Sequence, residues 1–272
     1  MYSLIQSTRA SGSAGEPLPV VFRSLGRLGW TPRRGQTNLI AAGPGTGKSA
    51  LALNYAIRSR VPTLYVSADS DASTQLARAI AISTGMLFTE AMKLVVSKDI
   101  RSVEGALRGV PLRLIYDGSP GFDRLSVTME AYEEIYGDFP DLVIVDNVGN
   151  IRSDGSGEDE GLRSSQAVMK FLLTMARETE SCVMALHHVN GPYNNADKPI
   201  PLNGVRDQLS DDPEVVITLH RGGGDDEFST GPSVVRASVV KNRGGKADAS
   251  GETYAELEFQ GDRMTMRDME AA

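Results

Sequence analysis

"LIAAGPGTGKSALALNYA", residues 39–56, runs from an apolar stretch through a glycine-rich turn into an amphipathic one. The order reads as strand, loop, helix, and that context makes the turn specific as a phosphate loop. The loop is Ala42-Gly43-Pro44-Gly45-Thr46-Gly47-Lys48-Ser49. Its small residues let backbone N–H groups converge on β-phosphate oxygens, and the following helix adds the positive end of its dipole. Lys48 is expected on the β and γ oxygens and Ser49 on Mg2+. Ala42 stands where the pattern usually begins with glycine. The expected ligands are therefore ATP and Mg2+, with Gly43, Pro44, Gly45, Thr46, Gly47, Lys48 and Ser49 as the cradle.

A triphosphate site also needs a carboxylate at the end of a neighbouring strand, to hold the metal through water. "DLVIVDN", residues 141–147, supplies Asp146 after four apolar residues; an aspartate that merely caps the next loop has the same local pattern. A further acid should orient the attacking water. "TLYVSADSD" puts Asp69 just past a second strand, where sheet ends line a ligand crevice. Asp71 competes for that role, and either acid suits a helix N-cap.

The rest of the chain sets the frame. Of 272 residues, 40% are hydrophobic and 23% charged, enough for a sizeable core in one large α/β domain or two small ones. The only cysteine, Cys182, sits in the apolar run "CVMALH"; it forms no intramolecular disulfide and reads as a buried thiol. No signal-like or membrane-length apolar run is present in the sequence, so a cytoplasmic location is expected. A net charge of −7 excludes a broadly basic surface, so any nucleic-acid contact must be local.

Candidate strands are "TNLIAA", "TLYVS", "LRLIYD", "LVIVD", "CVMALH" and "EVVITLH", with helical patterns at Ser49–Arg60, Ser73–Thr84, Phe122–Tyr136 and Leu162–Glu178. In the third helix Phe122, Leu125, Met129, Tyr132 and Tyr136 recur at helical spacing and predict one buried face. Apolar strands alternating with helices imply a mostly parallel sheet. Beyond Val234, "VVRASVV", "TYAELEFQ" and "RMTMR" are joined by turns and predict antiparallel strands added to that sheet. The reading is one domain, residues 21–272, behind a flexible arm, residues 1–20.

With these motifs in place, the sequence resembles the RecA-like motor domain of DnaB-type replicative helicases from Phe22 to the end. That family's phosphate loop also often starts with alanine and a proline-glycine pair. Its second strand leads into a catalytic glutamate ahead of a helix, where this chain has Asp69. "LRLIYDGSPGFDRLSVTMEAY" is similar to the family's strand, acidic-proline turn and helix before the acidic strand of "DLVIVDN". "CVMALHHVN" matches a strand that normally ends in Ser-Gln, the glutamine sensing γ-phosphate. Here the pair is His187-His188, so the resemblance gives the sensor position to His188, whose charge changes near neutral pH. "DKPIPLNGVRDQLSDDPEVVITLHR" resembles the segment that carries the DNA-facing loop, whose arginine-acid pair falls on Arg206 and Asp207. An arginine on a loop suits a phosphate contact, although a solvated surface pair has the same sequence. Arg152 is a second DNA-contact candidate, offset by Glu158, Asp159 and Glu160 nearby. "VVKNRGGKADASG" resembles the family's trans-acting pair, which makes Lys241 and Arg243 the cations offered to the γ-phosphate of an adjacent subunit.

The resemblance implies a RecA-like fold and an ATP-dependent DNA helicase acting in replication, hydrolysing ATP at the interfaces of a homo-oligomeric, hexameric ring around single-stranded DNA. A replication loader or a primase would be its protein partner, with no membrane involved. The family's helical N-terminal domain has no counterpart in residues 1–20. Two other readings use the same core. One is a RecA- or RadA-like recombination ATPase that forms filaments on DNA. The other is a non-motor protein: a loader, a KaiC-like regulatory ATPase, or a metal-dependent nuclease using Asp69, Asp146 and His188.

Overall fold

The computed structural model describes residues 14–153, 161–222 and 233–269. In chain order its elements are α1 (Arg23–Arg27), β1 (Thr37–Ala42), α2 (Lys48–Ser59), β2 (Thr63–Ser67), α3 (Ala72–Thr84), α4 (Phe88–Ser97), α5 (Glu104–Leu107), β3 (Leu112–Tyr116), α6 (Phe122–Tyr136), β4 (Leu142–Asp146), α7 (Gly161–Thr179), β5 (Cys182–His187), β6 (Val215–Arg221), β7 (Ser233–Asn242), β8 (Ala255–Gln260) and β9 (Thr265–Asp268).

All nine strands form one sheet in the order β3-β2-β4-β5-β1-β6-β7-β8-β9. The pairs from β3 to β6 are parallel and those from β6 to β9 antiparallel, so the expected α/β class with an antiparallel extension is present. The apolar runs form strands because both faces of the sheet are covered. Ile40, Ile144, Met184 and Ile217 face a core shared with α1 and α2. Leu39, Val143, Val183 and Val216 face a core shared with α6 and α7. Truncating one of the leucine, isoleucine or methionine residues among them to alanine costs about 2–5 kcal/mol. Cys182 is fully buried, and burial pushes its thiol up to about 12, as expected of an inert core cysteine.

Several local expectations change. The periodicity of α6 holds through Leu125, Met129 and Tyr132, but Tyr136 is exposed and lies under the Arg113 guanidinium, which donates to its hydroxyl at 2.6 Å. Three helices were absent from the sequence reading: α1, α4 and α5. The last two build a small satellite core with α3 around Ile80, Ala91 and Val103. Residues 14–20 of the expected arm are folded onto the domain. Pro17 bridges Arg33, Leu18 is buried, and the carbonyl of Pro19 accepts from the Tyr55 hydroxyl at 2.8 Å. Residues 1–13 lie outside the described residues, as do Glu158, Asp159 and Glu160.

Strand order decides where the chemistry gathers. β2, β4, β5 and β1 are consecutive and parallel, so their C-terminal ends meet at one rim. Asp69, Asp146, His188 and the glycine loop all follow those ends. β7 runs the other way along β6, with Lys241 opposite Val216 and Asn242 opposite Val215. Lys241 and Arg243 therefore lie at the opposite end of the sheet from the phosphate loop.

Candidate active site

The loop between β1 and α2 has glycines where the backbone demands them. Gly47 adopts φ 106° as it opens α2, a conformation an L side chain rarely takes. A Cβ on Gly43 would run into the backbone carbonyl of Asn194. The Thr46 hydroxyl donates to the Gly43 carbonyl at 3.0 Å and closes the turn. Lys48 is buried, and its ammonium donates to the carbonyls of Ala42 at 3.1 Å and Gly43 at 3.2 Å. Burial lowers its pKa, against the opposing pull of Asp146 and Asp69.

The cavity beside this loop has a volume of about 280 Å³ and gathers Lys48, Ser49, Asp69, Asp146 and His188. Asp146 is 2% exposed; its Oδ2 accepts from the Tyr65 hydroxyl at 2.7 Å, and its backbone carbonyl accepts from the Ala68 amide at 2.8 Å. The two acids after β2 take different parts. Asp71 caps α3, its carboxylate accepting from the amides of Ser73 and Thr74. Asp69 lines the cavity instead. Its turn is tied down by Ser67, whose hydroxyl donates to the Ser70 carbonyl at 2.7 Å.

The residues fit a triphosphate with a divalent cation. A buried ammonium in a cradle of glycines at a helix start offers an anion site, and Ser49 and Asp146 on its rim offer two oxygen ligands. Among the described residues no group of three or more His, Cys, Asp or Glu side chains could hold a metal alone. A cation here would need oxygens from the nucleotide or water, the usual arrangement for Mg2+.

The histidine pair splits. His188 lines the cavity, and its pKa is lowered by burial first and then by Lys48. His187 faces inward, 2% exposed, with Nε2 3.4 Å from Asp207 Oδ2. Burial holds it neutral, with its pKa lowered to about 4. Asp207 also accepts from the Ser165 hydroxyl at 3.0 Å, so its carboxylate points into the protein while Arg206 beside it is exposed. The backbone continues this link: Val189 pairs with Val205, and the Arg206 amide donates to the His188 carbonyl at 3.2 Å. Arg152 is exposed on another loop, its Nε donating to the Ser119 carbonyl at 2.8 Å.

Lys241 and Arg243 line no part of this cavity. The Lys241 ammonium donates to the carbonyls of Ser210 and Asp211, each at 2.7 Å, and Arg243 donates to that of Asp211 at 2.8 Å. Conversely, the cavity contains residues the sequence did not reveal. Arg78 enters from α3, Asn147 follows Asp146, and Phe259 and Met264 form an apolar wall. Arg221, at the end of β6, lies close to Gly45. None of these stands at a diagnostic spacing from the phosphate loop; only the folded sheet brings them there.

Comparison with known proteins identifies the family and the fold. The family model described as the DnaB-like helicase C-terminal domain matches residues 18–267. The Gene 65 protein of Mycobacterium phage L5 is 48% identical over 269 residues, covering 98% of this chain and 99% of its own length. Among solved structures, a DnaB-like replicative helicase described with its interactions with primase superposes with a TM-score of 0.77 at 18% identity. That match covers 98% of this chain and 65% of the other, so this chain spans about two thirds of that protein's length. A second solved structure, described as an ATPase domain, superposes with a TM-score of 0.75 at 16% identity, covering 98% of this chain and 96% of that domain.

Proposed function

This chain belongs to the DnaB-like helicase C-terminal domain family, and on that premise we propose that it is an ATP-driven DNA helicase of replication, hydrolysing ATP between subunits of a ring and drawing single-stranded DNA through it. The observation that carries this reading is the placement of Lys241 and Arg243 at the end of the sheet opposite their own phosphate loop. Two cations so placed cannot complete the pocket of their own chain, and in this scheme they serve the pocket of a neighbouring copy.

The residues have complementary parts in this scheme. Gly43 to Ser49, Lys48 among them, would hold the phosphates, and Ser49 and Asp146 would hold Mg2+, which would supply positive charge to offset that of the nucleotide. Asp69 accepts the proton of the attacking water. Arg243, assisted by Lys241, meets the developing negative charge from the next subunit, a contribution of about 10³ to 10⁵ in rate where such an arginine acts. His188 reads the occupancy of the pocket, and the short ribbon from His188 to Arg206 carries the change to the DNA-facing loop. Arg206 contacts DNA phosphate and Arg152 adds a second contact, while Asp207 holds the loop. The acidic net charge of −7 suits such a ring, because several loops grip one strand and each subunit needs few contacts. A loader or a primase is the protein partner in this scheme.

Steady-state ATP turnover and negative-stain imaging with a non-hydrolysable ATP analogue, with and without single-stranded DNA, test the reading together. The expected result is DNA-stimulated turnover and closed six-membered rings. Helical filaments on DNA would favour a recombination ATPase, and monomers with undiminished turnover would overturn the shared-site scheme.

A further inference from the structure

Tyr65 stands out among the buried polar groups around the cavity. It lies on β2 between Ile144 of β4 and Leu114 of β3, and is fully buried. A phenol in such a position needs a partner, since a buried hydroxyl without one costs about 1–3 kcal/mol. Its partner is Asp146 Oδ2 at 2.7 Å.

The surroundings turn this bond into a brace. Asp146 is gripped twice by the β2 end: by the Tyr65 hydroxyl at its side chain and by the Ala68 amide at its backbone carbonyl. The same segment is fastened to α3. Gln75 Nε2 donates to the Ser67 hydroxyl at 3.0 Å, and Arg78, which reaches the cavity, donates to the Ser70 hydroxyl at 3.1 Å. Asp69 lies between Ser67 and Ser70, so the backbone that carries it is tied to the segment that holds the Asp146 carboxylate.

We propose that Tyr65 is a positioning residue for metal binding: by occupying Oδ2 of Asp146 it fixes the carboxylate's rotation and leaves Oδ1 for the hydration shell of the nucleotide-bound divalent cation. The proposal rests on the reading of the cavity as an ATP and Mg2+ site and adds a residue to it. Without the phenol, Asp146 would rotate to satisfy Oδ2 elsewhere, and the metal would lose an oriented acceptor while the phosphate cradle stayed intact.

The test is Tyr65→Phe in the full chain, a change of one oxygen atom. Affinity for a fluorescent ADP analogue is titrated with and without Mg2+, and the Mg2+ concentration for half-maximal ATP turnover is measured alongside. Metal-free affinity should stay within about twofold, while the gain in affinity on adding Mg2+ should fall about tenfold, the scale of a hydrogen bond to a charged group. The half-maximal Mg2+ concentration should rise by a similar factor. A folded Tyr65→Phe with the native gain in affinity would overturn the proposal. The same loss recurring in an Asp146→Asn background would do so too, because the phenol would then be acting through another group. Failure of the native chain to show any Mg2+-dependent nucleotide affinity would instead sink the underlying reading, which separates the two failures.

Discussion

The backbone amide of Arg206 donates to the carbonyl of His188 at 3.2 Å. His188 lines the phosphate cavity, and Arg206 is exposed on the loop that the family resemblance assigns to DNA. Val189 and Val205 bridge beside this bond, and the Asn190 amide donates to the Gly204 carbonyl at 2.8 Å. The two segments form a short antiparallel ribbon. A shift of the strand end at the pocket therefore cannot leave the loop unmoved.

Arg206→Ala should reduce DNA-stimulated turnover several-fold while leaving basal turnover near native. It should also lower the slope of log affinity against log salt for single-stranded DNA by about 0.7, the value of one phosphate contact on a single strand. Steady-state ATPase assays and DNA binding at several salt concentrations check both. Equal loss of basal and stimulated turnover would make Arg206 a structural residue.

Lys48→Ala should abolish turnover, with a loss of at least about 10²-fold, because it removes the ammonium that the proposed scheme puts on the phosphates. Phosphate release measures the effect. Full activity in this variant would remove the assigned phosphate site.

Arg243→Ala should bind nucleotide with near-native affinity yet lose turnover by about 10³-fold or more. Mixing it with Lys48→Ala subunits, which keep Arg243, should restore part of the activity, since each partner supplies what the other lacks. No rescue, with assembly intact, would count against a role across the interface.

Stability should fall in mild acid, and His220 should account for part of the fall. Its side chain is 1% exposed, packed edge-on to Tyr254, and its pKa is lowered to about 4 by burial first and then by Arg236. Between pH 6.5 and 4 the unfolded chain binds a proton that the folded chain refuses, so stability is complete above the unfolded pKa and declines as pH drops. The contribution is on the order of 2–3 kcal/mol. His220→Phe should flatten this acid limb in denaturant titrations at about pH 7 and about pH 4.5. An unchanged limb would show that another group controls it.

The sheet was legible because its central strands are apolar on both faces and punctuated by turns, a pattern that survives without tertiary knowledge. The α4 and α5 region was not. Phe88, Met92, Leu94 and Val95 pack only on the satellite core with α3. The start of α4 carries no Ser, Thr, Asp or Asn cap; Glu90 reaches back to accept from the Leu87 amide instead. At the site, the phosphate loop and Asp146 were readable from local spacing. The choice between Asp69 and Asp71 was not, because two acids two residues apart differ only in which one meets the first turn of α3. Tyr65, Arg78 and Phe259 were beyond reach for a different reason: each gains its meaning from a neighbour distant in sequence.

The apolar wall of the cavity comes from Phe259 of β8 and Met264 of the turn before β9, and that hairpin is fastened to α2. Asn54 Nδ2 donates to the Met264 carbonyl at 2.8 Å, and the Met266 amide donates to Asn54 Oδ1 at 3.1 Å. During synthesis, a chain that has emerged from the ribosome only as far as Ser250 already owns its phosphate loop, Asp69 and Asp146, but has no wall beside them and no clasp on α2. A product that stops at Ser250 thus carries the phosphate loop and both cavity acids of an ATPase and lacks a finished place to put the nucleotide.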